Sequence, residues 1–171
     1  MFKNERECFT YKEVRINYRL TSKKEMEFSP FFAFEFDSIK DDEPIIYIEW
    51  IENHSSERGK GEGTTALLKF TRKMDARPDI SHIVLQSNFH EDNHNEYYGL
   101  ELTRDERISA ISRLVRFYEK AGFKGDWSGE YQGKDHLDCP NMKYKITGEA
   151  SKIDSTLEQE ADNPVSYRNC L

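Results

Sequence analysis

Three cysteines in 171 residues, Cys8, Cys139 and Cys170, are too few and too widely spaced for a disulfide framework or a zinc site. They read as reduced thiols, and a cytoplasmic setting is expected. Lysine and arginine form no block, and 25 basic residues face 32 acidic ones, a formal net charge of −7. Nucleic acid is therefore not an expected partner. The opening Met-Phe-Lys-Asn-Glu-Arg-Glu has no apolar stretch of signal-peptide length, and no run in the chain could span a bilayer, so no membrane association is expected. Apolar residues are also scarce, at 36%. The core they can build is thin, although 11 Phe, 9 Tyr and 2 Trp supply large buried surfaces. The acidic balance favours a cationic partner such as a polyamine, an aminoglycoside or a basic protein segment.

What the chain does have is alternating strand and helix patterns over one domain, residues 1–146. Residues 8–20 carry Val14, Ile16, Tyr18 and Leu20 at strand periodicity. Residues 26–37 are rich in phenylalanine and read as a second strand whose rings belong to the core. A turn at Asp41–Pro44 leads into Ile45–Ile51, a β-branched and aromatic run in which Trp50 reads as packing. From Glu62 the period becomes helical, with Leu67, Phe70 and Met74 on one face and Pro78 blocking continuation. Ile80 to Leu85 read as a strand, and 88–102 as a polar loop. Thr103 and Glu106 form a capping box ahead of a helix that buries Ile108, Ile111 and Val115 and stops at Gly122. Residues 123–131 and 141–146 read as two last strands, and 147–171 as an acidic, mobile tail. Strand–helix–strand in the middle implies a parallel pair, and the early strands imply hairpins.

The segment that carries chemistry is Arg58-Gly59-Lys60-Gly61-Glu62-Gly63-Thr64-Thr65, which joins a buried strand to a helix start. Glycines there let the backbone turn tightly, and the first amides of the helix favour an anion. The local physics predicts a phosphate site. The lysine precedes the glycine pair, so a Walker A loop fails, and Gly59, Gly61 and Gly63 have the wrong last spacing for a dinucleotide fingerprint.

The segment instead resembles the pyrophosphate loop of GNAT acetyltransferases, Gln/Arg-x-x-Gly-x-Gly/Ala, carried by Arg58, Gly61 and Gly63. Phe117-Tyr118-Glu119-Lys120-Ala121-Gly122-Phe123 resembles that family's later helix end, and the resemblance covers roughly residues 44–146. It implies an α/β fold: a mixed, strongly twisted sheet flanked by helices, with a V-shaped opening. The family's N-terminal helical pair is reduced or absent here. It also implies acetyl-CoA-dependent acetylation of an amine by direct attack in a ternary complex, with no metal. Pantetheine is expected beside Ile51, Glu52 and Asn53. The amides of Gly59, Lys60, Gly61, Glu62, Gly63 and Thr64 are expected to hold the pyrophosphate, helped by the charges of Arg58 and Lys60. Asn88 resembles a cofactor-contacting asparagine.

An amine must lose its proton to attack. Glu49, two residues from Ile51 and so expected on the same strand face, is the candidate base, with Glu52 or a water chain as alternatives. Tyr118 resembles the family tyrosine that contacts the cofactor and protonates the leaving thiolate; packing alone is its bland reading. His90, Glu91, Asp92 and His94 lack a metal-site spacing and read as a solvated loop. The stretch from Asn88 to Tyr118 is longer than the family's. With Tyr97 and Tyr98 it is either a lid or a passive insertion, and Trp127 reads as loop. With few N-terminal helices, the acceptor side is open, or walled by the 88–102 loop or a second subunit, which is compatible with a homodimer. The acceptors that fit are a protein lysine or N-terminus, or a small polyamine or aminoglycoside. Two rival readings are a CoA-binding regulatory module without turnover, and an acidic protein that masks a basic partner.

Overall fold

A two-residue turn at Lys12–Glu13 splits the first stretch into a hairpin. In the computed structural model β1 (Arg6–Tyr11) pairs antiparallel with β2 (Val14–Ser22), Tyr11 opposite Val14. The sequence reading had one strand over 8–20. No glycine or asparagine marks the turn; Lys12 itself takes the left-handed conformation, φ 50°. The chain continues through α1 (Lys23–Glu27), β3 (Pro44–Asn53), α2 (Glu62–Asp75), β4 (His82–Gln86), α3 (Arg104–Lys120) and β5 (Asn141–Lys145). The structure describes residues 6–27, 38–54, 61–87, 103–125 and 140–148. The five strands form one mixed sheet in the order β1-β2-β3-β4-β5. Its parallel pair is β3 with β4, and its other pairings are antiparallel. Helix α2 is the crossover that a parallel pair requires.

Alternation gives the sheet two apolar faces. On one, Ile16, Tyr18, Ile46, Ile48, Ile83, Leu85 and Met142 pack with Leu67, Phe70 and Met74 of α2 and Ile111 and Val115 of α3. Phe70 is fully buried, with its ring centroid 5.0 Å from Tyr18 and 5.6 Å from Phe9. On the other face, Ile45, Tyr47 and Val84 pack with Met26 of α1 and Ile39.

Three local expectations are corrected. Residues 21–27, read as linker and strand start, finish β2 and form α1, whose five residues are a reduced N-terminal helix; the rest of the 26–37 strand lies outside the described residues. The strand over 123–131 is represented by one bridge, Lys124 to Lys143, with 126–131 outside the described residues. Trp50, read as packing, is 40% exposed. Of the tail, Thr147 and Gly148 are described: the Thr147 amide donates to the buried Asp75 carboxylate at 2.8 Å, tying the end of β5 to the end of α2. Among the described residues no helix is long and apolar enough to cross a membrane.

Candidate functional site

The site begins where β3 loses its parallel neighbour. Ile45, Ile46, Tyr47 and Ile48 pair with His82, Ile83, Val84 and Leu85, and the pairing ends there. Beyond it, Trp50 to Asn53 still pair with β2 on their other side, while the end of β4 pairs with β5. Among the described residues the parallel pairing thus ends at Ile48 and Leu85, short of the last residues of both strands. Ile51, Glu52 and Asn53 lie on β3 beyond that pairing, where half of a strand's backbone groups point away from its remaining partner.

A β-bulge sits at the same point. Asn17 is opposite Trp50 and Tyr18 opposite Ile48, so Glu49 is the extra residue. The bulge resets the alternation. Ile51 packs into the core beneath α2, while Glu49 turns to the opposite face and meets Arg6 Nε at 3.0 Å and Arg19 Nε at 3.6 Å. Glu49 and Ile51 therefore do not share a face, contrary to the expectation from spacing. The same reset brings Trp50 to the Glu49 side, where the Arg6 guanidinium lies 5.4 Å from its ring centroid. Trp50 Nε1 donates to Glu52 Oε1 at 3.0 Å, and Glu52 Oε2 is 3.4 Å from His54 Nε2. Glu49 is 9% exposed, Arg19 20% and Arg6 70%, so one guanidinium holds the carboxylate from within and the other from solvent. Arg19 also lies over the Tyr47 ring at 5.4 Å. Burial pushes the Tyr47 hydroxyl up; Arg19 opposes this, and Glu49 and Tyr118 add to it.

Helix α2, the next element after β3, starts at Glu62. Gly61 is its N-cap, at φ 80°, with no side-chain cap bond. An L side chain at that φ is strained, which explains a glycine there. The amides of the first helical turn have no intrahelical acceptors and face the loop end. Glu62, Gly63 and Thr64 belong to that turn, and Lys12 Nζ bonds Glu62 Oε1 at 2.9 Å. Arg58, Gly59, Lys60 and Asn88 lie outside the described residues, as do Tyr97, Tyr98, Trp127 and the histidines at 90 and 94.

The second motif is a helix terminus with a full account in hydrogen bonds. The Phe123 amide donates to the Tyr118 carbonyl at 3.2 Å, and the Gly122 amide to the Glu119 carbonyl at 2.9 Å. With Gly122 at φ 90°, this is a Schellman motif. Its accompanying apolar contact is the edge-on pair of Tyr118 and Phe123 at 6.0 Å. The cap fixes Tyr118 at the end of α3. Burial pushes the Tyr118 hydroxyl up to about 12, so at neutral pH it is a proton donor.

The two motifs, more than fifty residues apart in sequence, meet in space. A Cβ built on Gly63 would stand 3.4 Å from Phe117 Cε2, beside Tyr118. That is ordinary contact, so the α2 start lies against the α3 end at this point. Sequence reasoning missed Arg6, Arg19, Tyr47 and Lys12, because their roles depend on strand register and on a turn that local signals do not mark. A mixed sheet whose parallel pair is joined through a glycine-opened helix agrees with the α/β fold that the sequence resemblance implies.

No family model matches the chain, and no curated protein matches it. Among solved structures, the chain is similar to NAA60 of Arabidopsis thaliana in complex with acetyl-CoA, with 18% identity over 78% of this chain and 66% of that one and a TM-score of 0.46. It is similar to NAA60 of Arabidopsis thaliana in complex with a bisubstrate analogue, with 14% identity, coverage of 79% and 65%, and a TM-score of 0.45. It is also similar to the GphF GNAT-like decarboxylase in complex with isobutyryl-CoA, with 11% identity, coverage of 82% and 77%, and a TM-score of 0.49. The chain spans just under two thirds of the length of the two Arabidopsis chains.

Proposed function

We propose that this chain is a GNAT-type acyltransferase that moves an acetyl group from acetyl-CoA to a primary amine. The observation that carries the reading is the meeting of the two motifs: the start of α2 at Gly63 lies against Phe117, next to Tyr118. In this reading the amides of the Gly61–Thr64 turn hold the pyrophosphate, with Gly59 and the charges of Arg58 and Lys60 assisting. The backbone of Ile51, Glu52 and Asn53 pairs with pantetheine as an added strand would, and Asn88 contacts the cofactor. The thioester supplies an activated acyl group and a thiolate leaving group.

Tyr118 acts as the general acid for that thiolate: burial keeps its hydroxyl protonated at neutral pH. Glu49 is the proposed base. Its outer partner Arg6 is 70% exposed, and an exposed ion pair is worth only about 0–1 kcal/mol, so an incoming ammonium can exchange with it. Arg19 remains and keeps the carboxylate aimed. Trp50, Glu52 and Glu49 favour a cationic acceptor, a protein lysine or N-terminus or a polyamine-type amine.

The test is acetyl-CoA-dependent thiol release with a panel of lysine peptides, N-terminal peptides and polyamines. Wild type should release thiol with at least one of these amines. Tyr118→Phe should lower kcat by about 10²-fold, the low end of general-acid contributions, with acetyl-CoA affinity unchanged. Wild-type turnover in that variant would remove the general-acid role. Acetyl-CoA binding without turnover on any amine would favour a regulatory CoA-binding module.

A further inference from the structure

One cation cluster is left over from the site just described. It runs from the tip of the β1–β2 hairpin along the flank of α2. Lys12 Nζ stands 5.8 Å from the Tyr11 ring centroid, and Lys69 Nζ stands 5.1 Å from the same centroid. Lys73 Nζ lies 5.7 Å from the Phe9 centroid. Lys69 is seven residues past Glu62, two helical turns, and so lies on the same flank of α2. Lys12 bonds Glu62 itself, at the first residue of that helix. Three ammonium groups therefore gather along one flank of α2, with Lys12 paired to Glu62, in a chain of net charge −7. Ammonium groups gathered on one flank raise the local attraction for an anion. Tyr11 acts as a positioning residue, because cation–π contacts hold two flexible lysines over one ring.

We propose that Lys12 and Lys69, aligned by Tyr11, form a subsite for the terminal phosphomonoester of coenzyme A, the 3′-phosphate of its nucleotide end. The inference rests on the acyl-CoA reading above. There the pyrophosphate occupies the turn at Gly61–Thr64, and the 3′-phosphate is the one remaining anion of the ligand. A phosphomonoester carries close to two negative charges at neutral pH and accepts from several donors. Lysine serves such a group as a point charge on a flexible stem, without the fixed geometry of a guanidinium. Lys12 has a second effect. It offsets the Glu62 carboxylate, which would otherwise repel phosphate at the start of α2.

The test compares the affinities of CoA and 3′-dephospho-CoA by calorimetry, for wild type, Lys69→Ala and Lys12→Ala, with circular dichroism to check folding. Wild type should prefer CoA by about tenfold, the worth of one charge-assisted contact. Lys69→Ala should bring the two affinities to within about twofold, by weakening CoA and leaving dephospho-CoA unchanged. Lys12→Ala should reduce the preference as well and also weaken dephospho-CoA, because Glu62 loses its partner. An equal preference for CoA in wild type and Lys69→Ala, or no preference in wild type, overturns the subsite and leaves acyl-CoA binding standing. Failure of wild type to bind either ligand overturns the acyltransferase reading and the subsite with it.

Discussion

Glu49 and Tyr118, the proposed base and acid, sit on different elements, β3 and α3, and would bring different chemistry. Tyr118 is held by helix-end hydrogen bonds and ring packing, and its hydroxyl is pushed from 10.0 up to about 12 by burial. A general acid loses function as pH rises through its pKa. The upward shift therefore moves that loss beyond the working range, and the rate should show no alkaline fall attributable to Tyr118 below about pH 10. Glu49 is fixed by two guanidiniums. If it takes the amine proton, Glu49→Gln should flatten the rise of kcat/KM with pH and lower its plateau by about 10²-fold. Stopped assays across the pH range on one acceptor check this. An unchanged profile would move the base to Glu52 or to a water chain.

At the level of elements, the ends of the helices decide the geometry. Gly122→Ala would force an L residue to φ 90° and bring its Cβ to 3.2 Å from Tyr144 Cε2. The left-handed conformation alone costs roughly 1–2 kcal/mol, so urea unfolding should show at least about that loss. Turnover should fall with it, because the same cap holds Tyr118. Phe70→Ala would empty the ring cluster between α2 and the sheet, at a cost of about 3–5 kcal/mol in the same assay. Much of this level was legible beforehand. Thr103 and Glu106 form both halves of the predicted capping box, Gly122 is left-handed, and α2 runs from Glu62 to Asp75, short of Pro78. These are local signals, written within one or two turns of chain. The bulge at Glu49 was not legible, because it exists only in the register between β2 and β3. With it went the facing of Glu49 and the exposure of Trp50. The Lys12–Glu13 turn was missed for a related reason: a lysine at positive φ carries no compositional mark.

For the molecule as a whole, the parallel pair and the early hairpins followed from element order, and the two motifs that lie far apart in sequence close on one another through Gly63 and Phe117. A net charge of −7 coexists with a lysine-lined flank at the start of α2, so the proposed cofactor side and the acidic remainder differ in sign. The central claim is that the turn at Gly61 receives the phosphates of an acyl-CoA. The most direct measurement is calorimetric titration of acetyl-CoA into wild type and Gly61→Arg. Among the described residues, chain neighbours aside, no atom stands within 4 Å of a Cβ at Gly61, so the strain of an L residue at φ 80° is the cost the fold sets on that Cβ. The account predicts saturable binding to wild type, and its loss in a Gly61→Arg variant whose circular dichroism is unchanged. No binding to wild type, or undiminished binding to the variant, would contradict it.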